Sequence, residues 1–324
     1  MFRRLNRVKK YKGPKSWKMN WVCLTTNFST GEYFKYKLNE KSWKERSKYI
    51  CSRDSVDFLK SPECNVMPED KNSRYEMFAE YYKRDVMYLG FGKDDPDATC
   101  TANATANETF SEREAYEAFA AKHDRFIVKP IEGTKGHGIR IIETKDAPDY
   151  ERAKEVIKEP SMIEEVITEE GDIARIHPQS VNTLRVVTAI NKDGEYKLLF
   201  VLFRCGRDNC IVDNVGSGGI IAMVDAKTGR VCSDGFYAPD TYFDKHPNTG
   251  IEFKSLQFPK WDDMLRMVEE GHKKYPGQRV FGWDLAWNGK AWDVVEVNPA
   301  PSFASYQVLI GRGVRYEMKA AGIL

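Results

Sequence analysis

What most constrains this chain is a carboxylate set inside an apolar hairpin near residue 290. Val280-Phe-Gly-Trp-Asp-Leu-Ala-Trp287 and Ala291-Trp-Asp-Val-Val-Glu-Val-Asn298 are two β-type runs around Asn288-Gly-Lys290, a hairpin signature. A lone Asp284 in such a strand would cost several kcal/mol, so a partner must meet it. Glu296 and Asn298 lie two residues apart on the second run and share a face. Oxygen donors of this kind suit Mg²⁺, which takes one or two carboxylates and completes its octahedron with phosphate and water. Parity decides whether the three side chains meet. A two-residue turn at Asn288-Gly289 points Asp284 away from Glu296, whereas an odd turn or a single bulge puts them on one face. We expect an odd turn at 288–290. The alternative is an edge hairpin with surface acids.

A second hairpin reads as a match for that site. Phe126-Ile-Val-Lys-Pro130 runs into Glu132-Gly-Thr-Lys-Gly-His-Gly138 and emerges as Ile139-Arg-Ile-Ile-Glu143. Backbone N–H groups in a glycine-rich turn can close on an anion and accept positive φ. The glycines do not follow the dinucleotide spacing, no Gly-Lys-Ser/Thr follows, and a strand rather than a helix comes next. The reading is a strand–loop–strand phosphate clamp, with an ordinary hairpin bearing a solvated lysine as the alternative. The carboxylates downstream favour the clamp. Lys129, on the strand, is a stronger phosphate ligand than Lys135 at the tip.

The rest of the chain supplies the frame. Pro68 and two acids open a helix in which Tyr75, Phe78 and Tyr82 repeat at three and four, with Lys71 in its first turn against the helix dipole. Lys41–Lys60 reads as helix, Asp94–Thr109 as a small-residue loop, and Ser111-Glu-Arg-Glu114 as a capping box. A helix over 149–159 and a strand over 161–167 complete a unit suited to be a mobile lid. Long strands follow at 183–190 and 196–204, a hairpin at 219–231, and an amphipathic helix at 261–274. The class is α+β (mixed α/β), divided into a helical N-terminal region (1–109), a lid (110–168) and a core with a mainly antiparallel sheet (169–324).

Composition excludes several functions. With 50 Lys and Arg against 48 acids in 324 residues, the net charge of +2 makes no general case for nucleic acid. Residues 1–31 nevertheless hold no acid, and eight Lys or Arg fall within the first 18. Two readings stand: a solvated basic end, which we favour here, and weak contact with anionic lipid or a partner. No run approaches the ~18–20 apolar residues needed to cross a bilayer. The seven cysteines form no Cys-x-x-Cys and read as free thiols, so a reducing, cytoplasmic setting is expected.

Taken together, Phe126-Ile-Val-Lys-Pro130 with its glycine loop, Ile163-Glu-Glu-Val-Ile167, Asn182-Thr-Leu-Arg185, Asp284 and Glu296-Val-Asn298 resemble the ATP-grasp superfamily, in order. Asn182-Thr-Leu-Arg-Val-Val-Thr188, His246-Pro-Asn-Thr-Gly250 and Gly282-Trp-Asp284 resemble its sugar-transfer-associated branch. The likeness runs from about Met67 to Leu309, and five motifs in order make it specific. It implies that Lys71 and Lys129 hold ATP phosphates, with Glu132, Gly133, Thr134, Lys135, Gly136, His137 and Gly138 folding over them. It implies a strand at Glu164, Glu165, Val166 and Ile167 whose backbone reads adenine, with Glu170 or Asp172 at the ribose. Asp284, Glu296 and Asn298 would hold Mg²⁺. Arg185 would face the γ-phosphate or an acyl phosphate, and Asn214, Ser217, Gly218 and Gly219 would form a substrate loop. One departure matters: the region before Lys71 is short and helical for the α/β domain that usually stands there and contributes to acceptor binding.

The resemblance implies a carboxylate–amine ligase using ATP and Mg²⁺, with a sugar uronate or an amino acid from surface polysaccharide assembly as the acid. A kinase acting on a hydroxyl and a non-catalytic ATP-binding protein are the alternatives. Arg185 also reads as a cation paired inside a sheet.

Overall fold

The computed structural model describes residues 16–68, 70–91, 99–100, 110–131, 138–210, 213, 218–237 and 240–324. Its strands are β1 (Val86–Leu89), β2 (Thr99–Cys100), β3 (Phe110–Ser111), β4 (Arg125–Pro130), β5 (Arg140–Glu143), β6 (Ser161–Glu165), β7 (Thr183–Ile190), β8 (Tyr196–Cys205), β9 (Ile220–Val224), β10 (Gly235–Tyr237), β11 (Thr241–Phe243), β12 (Val280–Trp287) and β13 (Trp292–Asn298). A small sheet of order β1-β6-β4-β5 and a large one of order β11-β10-β9-β8-β7-β12-β13 are both antiparallel. The fold is thus α+β, as the sequence leads one to expect. No described helix is long and apolar enough to cross a membrane.

Alternation along each strand sets what its two faces do. In the small sheet Phe126, Val128 and Ile163 join Tyr116, Phe119, Tyr150 and Ile157 of the helices Glu112–Ala120 and Tyr150–Ile157 in one core. Those helices begin where capping chemistry dictates, at Ser111 with Glu114 and at Asp149, whose side chain accepts from the Arg152 N–H at 2.9 Å. The intervening residues Lys129, Met162 and Glu164 therefore face the other way. There the helix Lys71–Phe78 leans in through Tyr75, which packs on Val86 and Met162.

One face of the large sheet (Leu184, Val186, Val201, Phe203, Phe281, Trp283, Leu285) buries against Met264 and Val268 of the helix Trp261–Lys273. The other face is divided. Val187, Ala189, Phe200, Leu202 and Val280 pack beneath Phe303, Val314 and Met318, while Thr183, Arg185, Arg204, Asp284, Glu296 and Asn298 form a polar half beside them. The candidate site lies on that polar half.

Three expectations need correction or extension. Lys41–Lys60 is not one helix: it forms Trp43–Arg46, started by a Ser42/Glu45 capping box, and Ser52–Leu59. Between them Ile50 is drawn out of helical geometry by Gln307, whose Oε1 accepts from the Ile50 N–H at 2.8 Å and whose Nε2 donates to its carbonyl at 2.9 Å. The turn of the last hairpin is not odd. Trp287 pairs with Trp292 across four residues, and a bulge supplies the parity change: Leu285 opposes Val294 while Asp284 opposes Glu296, leaving Val295 as the extra residue. Finally, the small sheet takes its outer strand, β1, from upstream of residue 110.

Candidate active site

The large sheet brings charges together where a sheet interior would ordinarily exclude them. Asp284 on β12 pairs in register with Arg185 on β7 and Glu296 on β13. Arg185 grips both Asp284 oxygens, Nε donating to Oδ1 and Nη2 to Oδ2 at 2.9 Å. From β8, Arg204 adds an ion pair to Asp284 Oδ1 at 3.2 Å and another to Asp213 at 3.3 Å, while donating to the Thr183 hydroxyl. Burial alone would raise the Asp284 pKa; Arg185 and Arg204 outweigh it and hold the carboxyl below its usual range. Asp284 is thus an anion with two cationic partners.

The lid contributes the opposing wall. Lys129 Nζ donates to Glu164 Oε2 at 2.7 Å. The same oxygen accepts from Arg84, whose Nη1 also reaches Asp293 Oδ1 at 2.6 Å and the Val294 carbonyl at 2.8 Å. One buried guanidinium therefore ties the lid strand β6 to β13 of the large sheet. Burial works to raise the pKa of Glu164, yet Arg84 and Lys129 carry it down to about 2. Lys71 Nζ donates to the Pro130 carbonyl at 2.6 Å, where the glycine loop leaves β4. At the far end of that loop Gly138 has φ +81°, and a Cβ there would stand 2.9 Å from the Pro130 ring. Burial lowers the Lys71 pKa, Lys129 and Arg74 add to the effect, and Glu296 and Glu164 oppose it. The two walls are joined through Arg84, which reaches Glu164 on one and Asp293 and the Val294 carbonyl on the other.

The structure thus gathers Lys71, Lys129, Glu164, Arg185, Asp284, Glu296 and Asn298. Glu164 and Glu165 lie inside β6 between β1 and β4, so their main chain is occupied by the sheet, and Val166 and Ile167 follow just beyond the strand. Glu165 instead accepts from the Asp85 N–H at 3.1 Å. Glu170 is exposed over the β12–β13 turn, where a Cβ on Gly289 would come 2.5 Å from its carboxyl carbon. Asp172 is exposed and paired with Arg175. Gly219 is a packing position: its Cβ would meet the Asp213 carbonyl oxygen at 2.2 Å. Glu132, Gly133, Thr134, Lys135, Gly136, His137, Asn214 and Ser217 lie outside the described residues.

Sequence reasoning missed Arg84, Arg204, Asp213 and Glu169. Arg204 ends the apolar run of β8 and carries the same misfit signal as Asp284. Glu169 accepts from the N–H and Nδ2 of Asn182, both at 2.9 Å, while its Oε1 is sealed from solvent with no hydrogen-bond partner among the described residues. Burial, reinforced by Asp213, pushes the Glu169 carboxyl up to about 8 against the pull of Asn182.

The donors suit the expected Mg²⁺. Asp284, Glu296 and Asn298 offer hard oxygen chemistry on one face; both Asp284 oxygens are held by Arg185 and Arg204, and Asn298 Nδ2 lies 3.5 Å from Oδ2, so a cation would exchange with those contacts. Among the described residues the Glu296 carboxylate makes no hydrogen bond or ion pair, which leaves it free for a cation. No group of three His, Cys, Asp or Glu able to hold a metal occurs among the described residues, so a cation here would take phosphate oxygens and water as well.

A comparison with curated proteins found no match. Among solved structures the chain is similar to the ATP-grasp ligase PsnB complexed with minimal precursor, at 14% identity over 78% of this chain and 58% of that one, TM-score 0.43. It is also similar to N5-carboxyaminoimidazole synthetase from Staphylococcus aureus complexed with ADP, at 10% identity over 79% and 51%, TM-score 0.45. A third is D-alanine–D-alanine ligase from Bacillus anthracis, at 13% identity over 79% and 62%, TM-score 0.37. The chain therefore spans between 51% and 62% of the length of these proteins. A family model covers residues 94–322, most of the chain and both walls of the site except Lys71 and Arg84, and with that match the chain belongs to the sugar-transfer associated ATP-grasp family.

Proposed function

We infer that this protein is an ATP- and Mg²⁺-dependent carboxylate–amine ligase. The observation that carries the reading is that Arg84 joins the lid strand, where Glu164 holds Lys129 and Lys71 reaches the Pro130 carbonyl, to the strand that sets the unpaired Glu296 carboxylate beside Asp284 and Arg185. A triphosphate needs cations along its length and a metal at its end, and both are provided for by residues from separate elements.

In this reading Lys71 and Lys129 neutralise the phosphates and the 132–138 loop closes over them. Arg185 offsets the repulsion between the entering carboxylate and the γ-phosphate. When bound at Asp284, Glu296 and Asn298, Mg²⁺ supplies further charge neutralisation at the phosphate oxygens. A carboxylate oxygen attacks the γ-phosphorus and ADP departs, leaving an acyl phosphate. An amine then attacks the acyl carbon, inorganic phosphate leaves, and the nitrogen loses its proton. Exclusion of water by the lid protects the acyl phosphate from hydrolysis. The sugar-transfer association of the family supports a sugar uronate or an amino acid as the acid, in polysaccharide biosynthesis, and a cytoplasmic setting.

The test is product analysis by mass spectrometry after incubation with ATP, Mg²⁺ and a panel of such acids and amines. An amide with stoichiometric ADP and phosphate is the expected result. A phosphorylated hydroxyl formed without an amine would make the protein a kinase, and background phosphate release alone across the panel would sink the reading.

A further inference from the structure

A surface far from this site in sequence has the makeup of a membrane contact. The helix Trp17–Thr25 buries Met19, Val22 and Cys23 against Tyr33, Tyr36 and Leu38. Helical spacing puts Trp17 and Trp21 one turn apart on the opposite side, and they are 80% and 61% exposed. The neighbouring turn at 38–40 is braced from both sides, by Lys18 donating to the Asn39 carbonyl and by Arg46 donating to the Leu38 carbonyl. That second brace brings in the short helix Trp43–Arg46, whose Trp43 is 60% exposed. Leaving three large indoles in water is costly for a protein with an ample core elsewhere.

Charge identifies what covers them. The first 48 residues contain fourteen Lys or Arg and three acids, whereas the whole chain carries only +2, so the remainder is net negative. Lys18 and Lys44, each next in sequence to one of these tryptophans, and Lys48 are exposed. We propose that the Trp17/Trp21 face of the helix Trp17–Thr25, together with the exposed Lys18, Lys44 and Lys48, docks this protein on an anionic lipid surface. Indoles settle at the boundary between headgroups and acyl chains, and lysines beside them meet acidic headgroups. The negative remainder is repelled by the same surface, which orients the molecule with its basic end down. Nucleic acid would respond to the charge, but indoles projecting from one helix side provide no groove in which bases stack.

The experiment is co-sedimentation of the full chain with vesicles of phosphatidylcholine alone or mixed with phosphatidylserine, at low and high salt. We expect capture by the mixed vesicles only, weakened by high salt, with a blue shift of tryptophan emission. Trp17→Ser/Trp21→Ser is expected to cut capture about tenfold or more with an unchanged melting temperature, and Lys44→Gln/Lys48→Gln to cut it less. The two Trp changes are at exposed positions, so a folding defect is read directly from the melt; should one appear, Trp17→Tyr/Trp21→Tyr replaces them and is expected to retain capture. No capture by either vesicle, equal capture by neutral vesicles, or undiminished capture by the Trp17/Trp21 variant would overturn the proposal. So would retention of single-stranded RNA at the same salt without vesicle capture.

Discussion

Arg84→Met removes a buried side chain that joins the lid strand to the large sheet. In the native protein its guanidinium serves Glu164 and Asp293 together, with side-chain exposures of 3%, 6% and 1% for the three residues. Taking one member out of a buried ion network leaves charge without compensation and costs about 3–5 kcal/mol. Two groups soften that loss here: Lys129 stays on Glu164 at 2.7 Å, and the Lys83 N–H still donates to Asp293 at 3.0 Å. The lower end of the range, about 3 kcal/mol, is therefore expected from urea unfolding. Function should fall further than stability accounts for. Glu164 now has two cations, so Lys129 can pass to a phosphate while Arg84 still neutralises the carboxylate. Without Arg84, leaving Glu164 would strand a buried anion, and ATP affinity should drop about tenfold or more by equilibrium binding. Arg84→Met/Glu164→Gln removes the anion as well and should recover most of that affinity. A double variant that binds ATP no better than Arg84→Met, or a single variant destabilised by less than about 1 kcal/mol, refutes the argument.

Three further predictions concern the same region. Glu296→Gln should lower ATP-dependent product formation by about a hundredfold or more while leaving stability within about 1 kcal/mol, because that carboxylate has no partner to lose among the described residues; a near-normal rate at saturating Mg²⁺ contradicts its role as a ligand. Glu169, with its pKa pushed up to about 8, contributes stability that is full below the ordinary glutamate value and drains as pH rises toward about 8. Its slope approaches about 1.4 kcal/mol per pH unit, and Glu169→Gln should remove that part of the pH dependence in urea melts between about pH 5 and about pH 8. Gly219→Ala would drive a methyl into the Asp213 carbonyl at 2.2 Å, shifting the residue that pairs with Arg204. A loss of about 1–3 kcal/mol is expected, and an unchanged melting temperature would show that the backbone there yields freely.

Much of this arrangement is legible in the sequence because charges stand out against a periodic apolar background. Asp284 is conspicuous in Val280–Trp287, and Lys129 and Arg185 interrupt equally apolar strands, so local pattern alone marks them. What local pattern cannot supply is the group that answers each charge. Arg84 sits in no periodic run, and its partners Glu164 and Asp293 are 80 and 209 residues away. Gln307, which breaks the expected 41–60 helix, acts on Ile50 across 257 residues. The bulge at Val295 falls within an unbroken Val-Val-Glu-Val run, so parity required either an odd turn or a bulge and offered nothing to choose between them. The site's chemistry is therefore written locally and its electrostatic balance is written in tertiary contacts. The same division is visible at Glu164. The family resemblance implies a backbone role for it, whereas its main chain is paired within the sheet and its side chain holds Lys129 in place. The Glu164 side chain thus serves to position Lys129.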